Sequence, residues 1–86
     1  MTGAAVRILR ELEDDVSNTD LVDVDKLLRA CDFTCDEYPE FETYVYWRDG
    51  WSPPLTFSRR CGTVPRTRML EILAMVRRNL EREGHL

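Results

Sequence analysis

The most constraining feature of the sequence is an apolar stripe near its C-terminal end. Five apolar residues recur there at the spacing of one helix face: Met69, Ile72, Leu73, Val76 and Leu80. Pro65 suits the first turn of such a helix, and Gly84 suits its end because glycine tolerates left-handed backbone. A helix with this stripe has to bury it, so the preceding chain must supply a second layer.

Strand-forming residues precede this helix and predict that layer. Residues 41–47 are rich in aromatic and β-branched side chains, and Asp49-Gly50 then predicts a hairpin turn. Leu55–Ser58 returns as the partner strand, with Ser52-Pro53-Pro54 expected to lengthen the connection into a bulged or extended loop. Residues 33–37 are a candidate third strand.

The alternation within residues 41–47 predicts two faces of the sheet. Phe41 and Trp47, together with Phe57, are expected to pack under the helices. Tyr44 and Tyr46 would share the opposite face with Arg48. There they are either half-exposed tyrosines or platforms on which unpaired bases stack.

Two further helices are predicted in the front of the chain. Apolar residues recur at helical spacing from Ala4 to Val16, and a second helix runs from Asp20 or Asp23 to about Cys31. The element order predicts a small α+β domain with one core. We expect residues 1–20 to form an N-terminal helix and turn and residues 21–86 an α/β domain within the same globular unit.

Charge is distributed unevenly along the chain. Residues 1–42 hold 4 basic and 12 acidic side chains, whereas residues 43–86 hold 8 and 4. Four arginines cluster between the last strand and the last helix, where no acid occurs from Gly50 to Leu70: Arg59, Arg60, Arg66 and Arg68. They form either an anion-binding surface or a basic loop that pairs with the acidic front half.

Composition argues against several classes of protein. The sequence has no apolar run long enough for a membrane span, and acids occur where a signal peptide would be apolar, so we expect a cytoplasmic protein. The three cysteines and His85 have poor zinc-site spacing, and no base accompanies Cys61. The sequence therefore predicts no metal, no cofactor and no cysteine catalysis.

A resemblance to a known family enters at the final helix. Val64 to Leu73, VPRTRMLEIL, resembles the C-terminal signature of the HicA-type toxins, Leu-Pro-Lys-Gly-Thr-Leu followed two residues later by Ile-Leu. Val24 to Phe33 is similar to that family's first helix and strand entry, and Leu55-Thr56-Phe57 to its third strand. The similarity covers roughly residues 23–76.

The resemblance implies an α-β-β-β-α fold like that of double-stranded-RNA-binding domains, here with an extra N-terminal helix. It also implies a small RNA-binding mRNA interferase that is independent of metal and is neutralised by a HicB-like antitoxin. The family's catalytic histidine position corresponds to Tyr44 in this sequence. An ordinary phenol does not exchange protons near neutral pH as imidazole does.

The leading hypothesis is therefore a HicA-like protein that binds RNA, either as an interferase or as a catalytically lapsed relative. Its predicted RNA-contacting residues are Arg48, Tyr46 and the four clustered arginines, with Tyr44 as the candidate catalytic residue. The rival hypothesis is a protein-interaction module on the same fold, either antitoxin-like, regulatory or a phage-encoded inhibitor. That module would engage a basic partner through its acidic N-terminal half.

Overall fold

The computed structural model describes residues 2–86 as an α+β fold with three helices and two antiparallel sheets. The elements are, in chain order, α1 Thr2–Asp14, β1 Thr19–Asp20, α2 Leu21–Ala30, β2 Thr34–Tyr38, β3 Thr43–Arg48, β4 Trp51–Ser58, β5 Thr63–Val64 and α3 Arg66–Arg82. The main sheet has the order β2-β3-β4, and β1 pairs with β5. After α1 the chain forms a short strand, a helix, the three strands of the main sheet, a second short strand and the last helix, which confirms the predicted α+β class.

The hairpin between β3 and β4 is tighter than the sequence predicted. Arg48 lies opposite Trp51, so that only Asp49 and Gly50 form the turn, and Gly50 has a φ of 81°. The expected longer connection through Pro53 and Pro54 was wrong, because both prolines lie within β4. Two consecutive prolines cannot both turn their missing N–H groups away from β3, but the register of β3 against β4 shifts beside them, and bulges on edge strands tolerate proline. The expected bulge occurs instead as a register shift between Tyr46 and Arg48.

The two faces of the sheet are the reverse of those predicted. Tyr46 is only 3% exposed, whereas Phe41 is 73% and Trp47 is 38% exposed. Phe41 belongs to a 3-10 turn, and Glu42 then adopts left-handed backbone before β3 begins. Both faces carry aromatic or aliphatic side chains, so alternation alone could not decide which one the helices cover.

The core lies between the three helices and the tyrosine face of the sheet. The predicted α3 stripe is buried as expected, and Phe57 is also buried as expected. Tyr46 meets Phe57 edge to face with ring centroids 5.6 Å apart, and Phe33 meets Trp51 in the same way at 5.5 Å. Both pairs lie within the sheet layer, since Tyr46 and Phe57 stand on adjacent strands and Phe33 directly precedes β2.

An ion pair attaches α1 to the rest of the domain. Arg77 of α3 donates to both carboxylate oxygens of Glu13, at 2.7 and 2.6 Å. The hydrogen bonds from Arg77 hold the pKa of Glu13 below its ordinary value. This contact offsets the unfavourable position of an acid near the C-terminal end of a helix. Buried Ala5 and Leu9 supply the apolar side of the same junction.

The short β1–β5 bridge was not predicted from the sequence. Thr19 lies opposite Val64, and the backbone N–H of Leu21 donates to the carbonyl of Gly62 at 2.8 Å. The Asn18 side chain accepts a hydrogen bond from the backbone N–H of Arg66 at 2.9 Å. The loop before α2 therefore fixes the start of α3. Within residues 2–86, no helix is long and apolar enough to cross a membrane.

Replacing Glu13 with glutamine should lower the free energy of unfolding by about 1 kcal/mol near neutral pH, because a two-point arginine–carboxylate contact is lost. The native pKa of Glu13 lies below its ordinary value of 4.5, so this stabilisation is present above that value and is lost as the pH falls through the native pKa. Urea unfolding of the wild type and Glu13→Gln from pH 7 to pH 3 measures the difference. Glu11→Gln, an exposed change on the same helix, is the control, and an equal effect there would contradict the assignment.

Candidate functional site

A cleft of about 430 Å³ opens between α2, the tyrosine face of the sheet and the segment after β4. Its lining is mixed in charge and includes aromatic rings and two thiols. The lining residues are Leu21, Val22, Asp25, Arg29, Cys35, Glu37, Tyr44, Tyr46, Arg59, Cys61 and Gly62. Its volume lies in the range of pockets that hold small molecules or single nucleotides.

A hydrogen-bonded chain of three side chains forms the inner wall of the cleft. The Tyr46 hydroxyl donates to Asp25 at 2.6 Å, and Arg29 Nε donates to both oxygens of the same carboxylate at 2.9 and 3.0 Å. Burial, reinforced by the bond to Asp25, raises the pKa of Tyr46 above its ordinary value. The bond to Asp25 likewise raises the pKa of Arg29. Tyr46 is therefore a neutral, fixed donor.

The outer wall of the cleft is formed by three more exposed side chains. Tyr44 on β3 lies directly opposite Glu37 on β2. The Arg59 guanidinium lies over the Tyr44 ring, 5.7 Å from its centroid, and one of its nitrogens is 3.4 Å from a Glu37 oxygen. Among residues 2–86, nothing forms a hydrogen bond with the Tyr44 hydroxyl. Tyr44 therefore contributes its aromatic ring, rather than a hydrogen-bonded hydroxyl, to the wall of the cleft.

The other clustered arginines lie around the end of β4 and the start of α3. Arg60 forms an exposed ion pair with Glu42. Arg66 donates through Nε to the carbonyl of Val16 at 3.1 Å. Arg68 lies over the Phe57 ring at 4.3 Å and donates to the carbonyl of Thr56. Neither Arg66 nor Arg68 has a carboxylate partner within the part of the chain that the structure describes.

Two of the predicted RNA-contacting residues are placed differently from expectation. Tyr46 lines the cleft with a buried ring, so its face is not a free stacking platform. Arg48 contacts the opposite end of the domain, where it donates to the Cys31 carbonyl at 3.0 Å and lies 4.3 Å from the centre of the Trp51 ring. Its guanidinium also pairs with Glu83 at 3.3 Å. The structure therefore brings Tyr44, Tyr46 and Arg59 together but separates Arg48 from them.

The sequence interpretation missed three residues of the cleft. Asp25 and Arg29 stand four positions apart on α2, a spacing that predicts an ion pair on one helix face. The sequence shows this spacing, but it does not show that Asp25 accepts a hydrogen bond from Tyr46, because that contact depends on tertiary packing. From the sequence, Glu37 was interpreted only as an acid that pairs with an arginine. Its position opposite Tyr44 depends on the register of β2 against β3.

Groups that could support metal or thiol chemistry are dispersed. No cluster of three or more histidine, cysteine or acidic side chains within residues 2–86 could hold a metal ion. Burial raises the pKa of the Cys31 thiol to about 11, so this thiol remains protonated. His85 lies beside Glu83 at 3.6 Å, and the cleft residues do not include it. The cleft presents arginines, carboxylates and phenols, together with the thiols of Cys35 and Cys61.

Comparisons of the chain with protein-family models, curated protein sequences and solved structures found no match. What the cleft binds must therefore follow from its own chemistry.

The Tyr46→Phe substitution should lower the free energy of unfolding by about 1 kcal/mol, because it leaves a partly buried carboxylate without its phenolic donor. Tyr44→Phe is the matched control on the same strand. It should change stability little, since the Tyr44 hydroxyl has no partner among the described residues. Urea unfolding monitored by circular dichroism measures both. Equal losses in the two variants would contradict the assigned hydrogen bond.

Proposed function

We propose that this protein binds single-stranded RNA at the cleft between α2 and β3, as a relative of the HicA-type toxins that lacks their histidine-dependent cleavage. The observation that carries the proposal is the position of Tyr44. The resemblance aligns this residue with the family's catalytic histidine, and it lies in the cleft beside Arg59.

The outer wall of the cleft suits an unpaired base. Unpaired bases bind proteins by stacking on aromatic rings and guanidinium planes, and by hydrogen bonds along their edges. Tyr44 and Arg59 offer the stacking surfaces, and the neighbouring carboxylates accept hydrogen bonds. Base-paired RNA presents none of its base faces, so the proposal favours single strands or loops.

The arginines outside the cleft supply contacts for the phosphates. The pair of Arg60 with Glu42 is exposed, and an exposed ion pair contributes at most about 1 kcal/mol. A phosphate can therefore compete for the Arg60 guanidinium. Arg66 and Arg68 donate only to backbone carbonyls among the described residues, so they retain charge that no carboxylate neutralises. Such contacts bind the backbone without sequence preference.

The same cleft offers a poor arrangement for cleaving RNA. Proton transfer to or from a ribose hydroxyl needs a group that titrates near the working pH. The cleft contains no imidazole. Tyr46 is a weaker acid than an ordinary phenol and already donates to Asp25. We therefore propose RNA binding without cleavage, which makes this protein a catalytically lapsed relative of an interferase.

The RNA-binding proposal predicts salt-sensitive binding that depends on the clustered arginines. Titrating the protein into labelled single-stranded RNA with EDTA present should show binding that weakens as salt increases, with the RNA left intact. Arg59→Glu combined with Arg66→Glu should reduce affinity at least about tenfold. Loss of the Arg66 phosphate contact should also lower the slope of log affinity against log salt by about 0.7.

Arg7→Glu combined with Arg10→Glu on α1 is the control, because it makes the same change in net charge on exposed residues outside the cleft. Equal losses in both double variants would show only a response to net charge and would contradict a specific site. RNA cleavage that survives repeated purification would contradict the lapsed status.

A second candidate function is supported by the outer face of the sheet. Trp47 is exposed there, and its indole N–H donates to Asp36 at 2.8 Å. Tyr38 and Phe41 are also exposed close to Glu40. An exposed aromatic surface with acidic neighbours is complementary to a protein partner that is basic, such as an antitoxin-like or regulatory partner.

Trp47→Ala combined with Glu40→Lys distinguishes this candidate from RNA binding. A partner that the tagged wild-type protein retains should be lost from this variant and kept by Arg59→Glu with Arg66→Glu. Affinity purification followed by mass spectrometry measures both. Unchanged retention in the Trp47 variant would contradict a partner site on the outer face.

A further inference from the structure

We propose that the cleft binds a guanine base, held between the Tyr44 ring and the Arg59 guanidinium, with the Glu37 carboxylate accepting hydrogen bonds from its Watson–Crick edge. This inference rests on the proposed RNA binding and adds a base preference to it. It depends on three features of the cleft: the spacing of its stacking groups, the free oxygens of Glu37, and its balance of charge.

The spacing of Tyr44 and Arg59 is close to that of a base sandwich. A flat ring needs about 3.5 Å of separation on each face, so the two groups must be about 7 Å apart to hold a base between them. The guanidinium carbon lies 5.7 Å from the ring centroid. The Arg59 side chain is 40% exposed, and its ion pair with Glu37 at 3.4 Å is loose. Arg59 must move about 1 Å away from the Tyr44 ring to admit a base, and this movement breaks no buried contact.

Glu37 is placed to meet the edge of a base stacked on Tyr44. The two residues are directly opposite on neighbouring antiparallel strands and share one face of the sheet. The Glu37 side chain is 49% exposed and forms no hydrogen bond with any residue in the range 2–86. The Asp25 carboxylate, by contrast, already accepts from Tyr46 and Arg29. Glu37 is thus the carboxylate of the cleft whose acceptor sites are open.

An open carboxylate discriminates among the four bases because it only accepts hydrogen bonds. Guanine presents two adjacent donors, N1–H and the N2 amine, which match the two oxygens of a carboxylate. Adenine and cytosine each place a ring acceptor beside their amine, and uracil places carbonyl oxygens on both sides of its single N–H. Each of these three bases would direct a lone pair at Glu37, so guanine is the complementary base.

The charge balance of the cleft favours a neutral base over a phosphate. Asp25 pairs with Arg29, and Glu37 pairs with Arg59, so the two acids and two arginines of the cleft offset each other. A phosphate drawn into the cleft would meet both carboxylates. Phosphates are better accommodated outside it, along Arg60 and Arg66, while an uncharged base enters.

The experiment uses five labelled RNA heptamers in which six uridines flank a central guanosine, inosine, adenosine, cytidine or uridine. Fluorescence anisotropy with the full chain at fixed salt measures each affinity. The guanosine oligomer should bind about tenfold more tightly than those with adenosine, cytidine or uridine. Inosine keeps N1–H but lacks the N2 amine, so its oligomer should lose about fivefold or more relative to guanosine.

Glu37→Gln tests the residue itself, because an amide offers one acceptor and one donor group in place of two acceptors. This variant should lose the preference for guanosine, because an acceptor and a donor match the edges of adenine, cytosine and uracil at least as well as the two donors of guanine. Glu11→Gln on α1 is the control and should keep the full preference for guanosine. A guanosine preference that persists in Glu37→Gln would overturn the assignment of Glu37.

The outcomes also separate this inference from the proposed function. Equal, salt-sensitive binding of all five oligomers by the wild type would overturn the guanine site and leave RNA binding intact. Failure of every oligomer to bind at low salt would overturn both. A preference for guanosine that inosine fully reproduces would overturn the two-point contact with Glu37.

Discussion

The hydrogen bond between Tyr46 and Asp25 determines which face of the sheet the helices cover. A buried phenol needs a partner for its hydroxyl, and α2 supplies a carboxylate that Arg29 orients. Because side chains alternate along a strand, the inward position of Tyr46 places every second residue of β3, together with the cross-strand neighbours of these residues, on the same face. Tyr44 and Glu37 consequently line the cleft, while Trp47 lies on the outer face.

The uneven charge of the chain is largely resolved by pairing across the fold. Arg77 binds Glu13, Arg59 binds Glu37, and Arg60 binds Glu42. These pairs join the basic back half to the acidic front half, as one of the two interpretations of the charge pattern required. What remains for a ligand is a cleft with balanced charge and two arginines, Arg66 and Arg68, whose side chains donate hydrogen bonds only to backbone carbonyls among the described residues. A nucleotide is complementary to this arrangement, because its uncharged base suits the cleft and its anionic backbone suits the two arginines.

The sequence was sufficient to predict elements that depend on local periodicity. The α3 stripe, the order of the helices and main strands along the chain and the presence of a hairpin at Asp49-Gly50 follow from spacing, and the structure confirms them, whereas the tightness of that hairpin was not predicted. The orientation of the sheet was not predictable in this way, because Tyr46 and Trp47 can each fill a core. Only the position of Asp25 on α2, which comes close through tertiary packing, decides between them. The contact of Asn18 with the start of α3 joins positions 48 residues apart and leaves no local signal.

We propose that RNA binds at the tyrosine-lined cleft rather than at the outer face of the sheet. Two-dimensional NMR of the ¹⁵N-labelled protein during titration with a short single-stranded RNA distinguishes the two surfaces. We predict amide shift changes concentrated in Asp25, Arg29, Glu37, Tyr44 and residues 59–62, with little change around Trp47 and Phe41. Changes centred on the outer face, or none at saturating RNA and low salt, would contradict it.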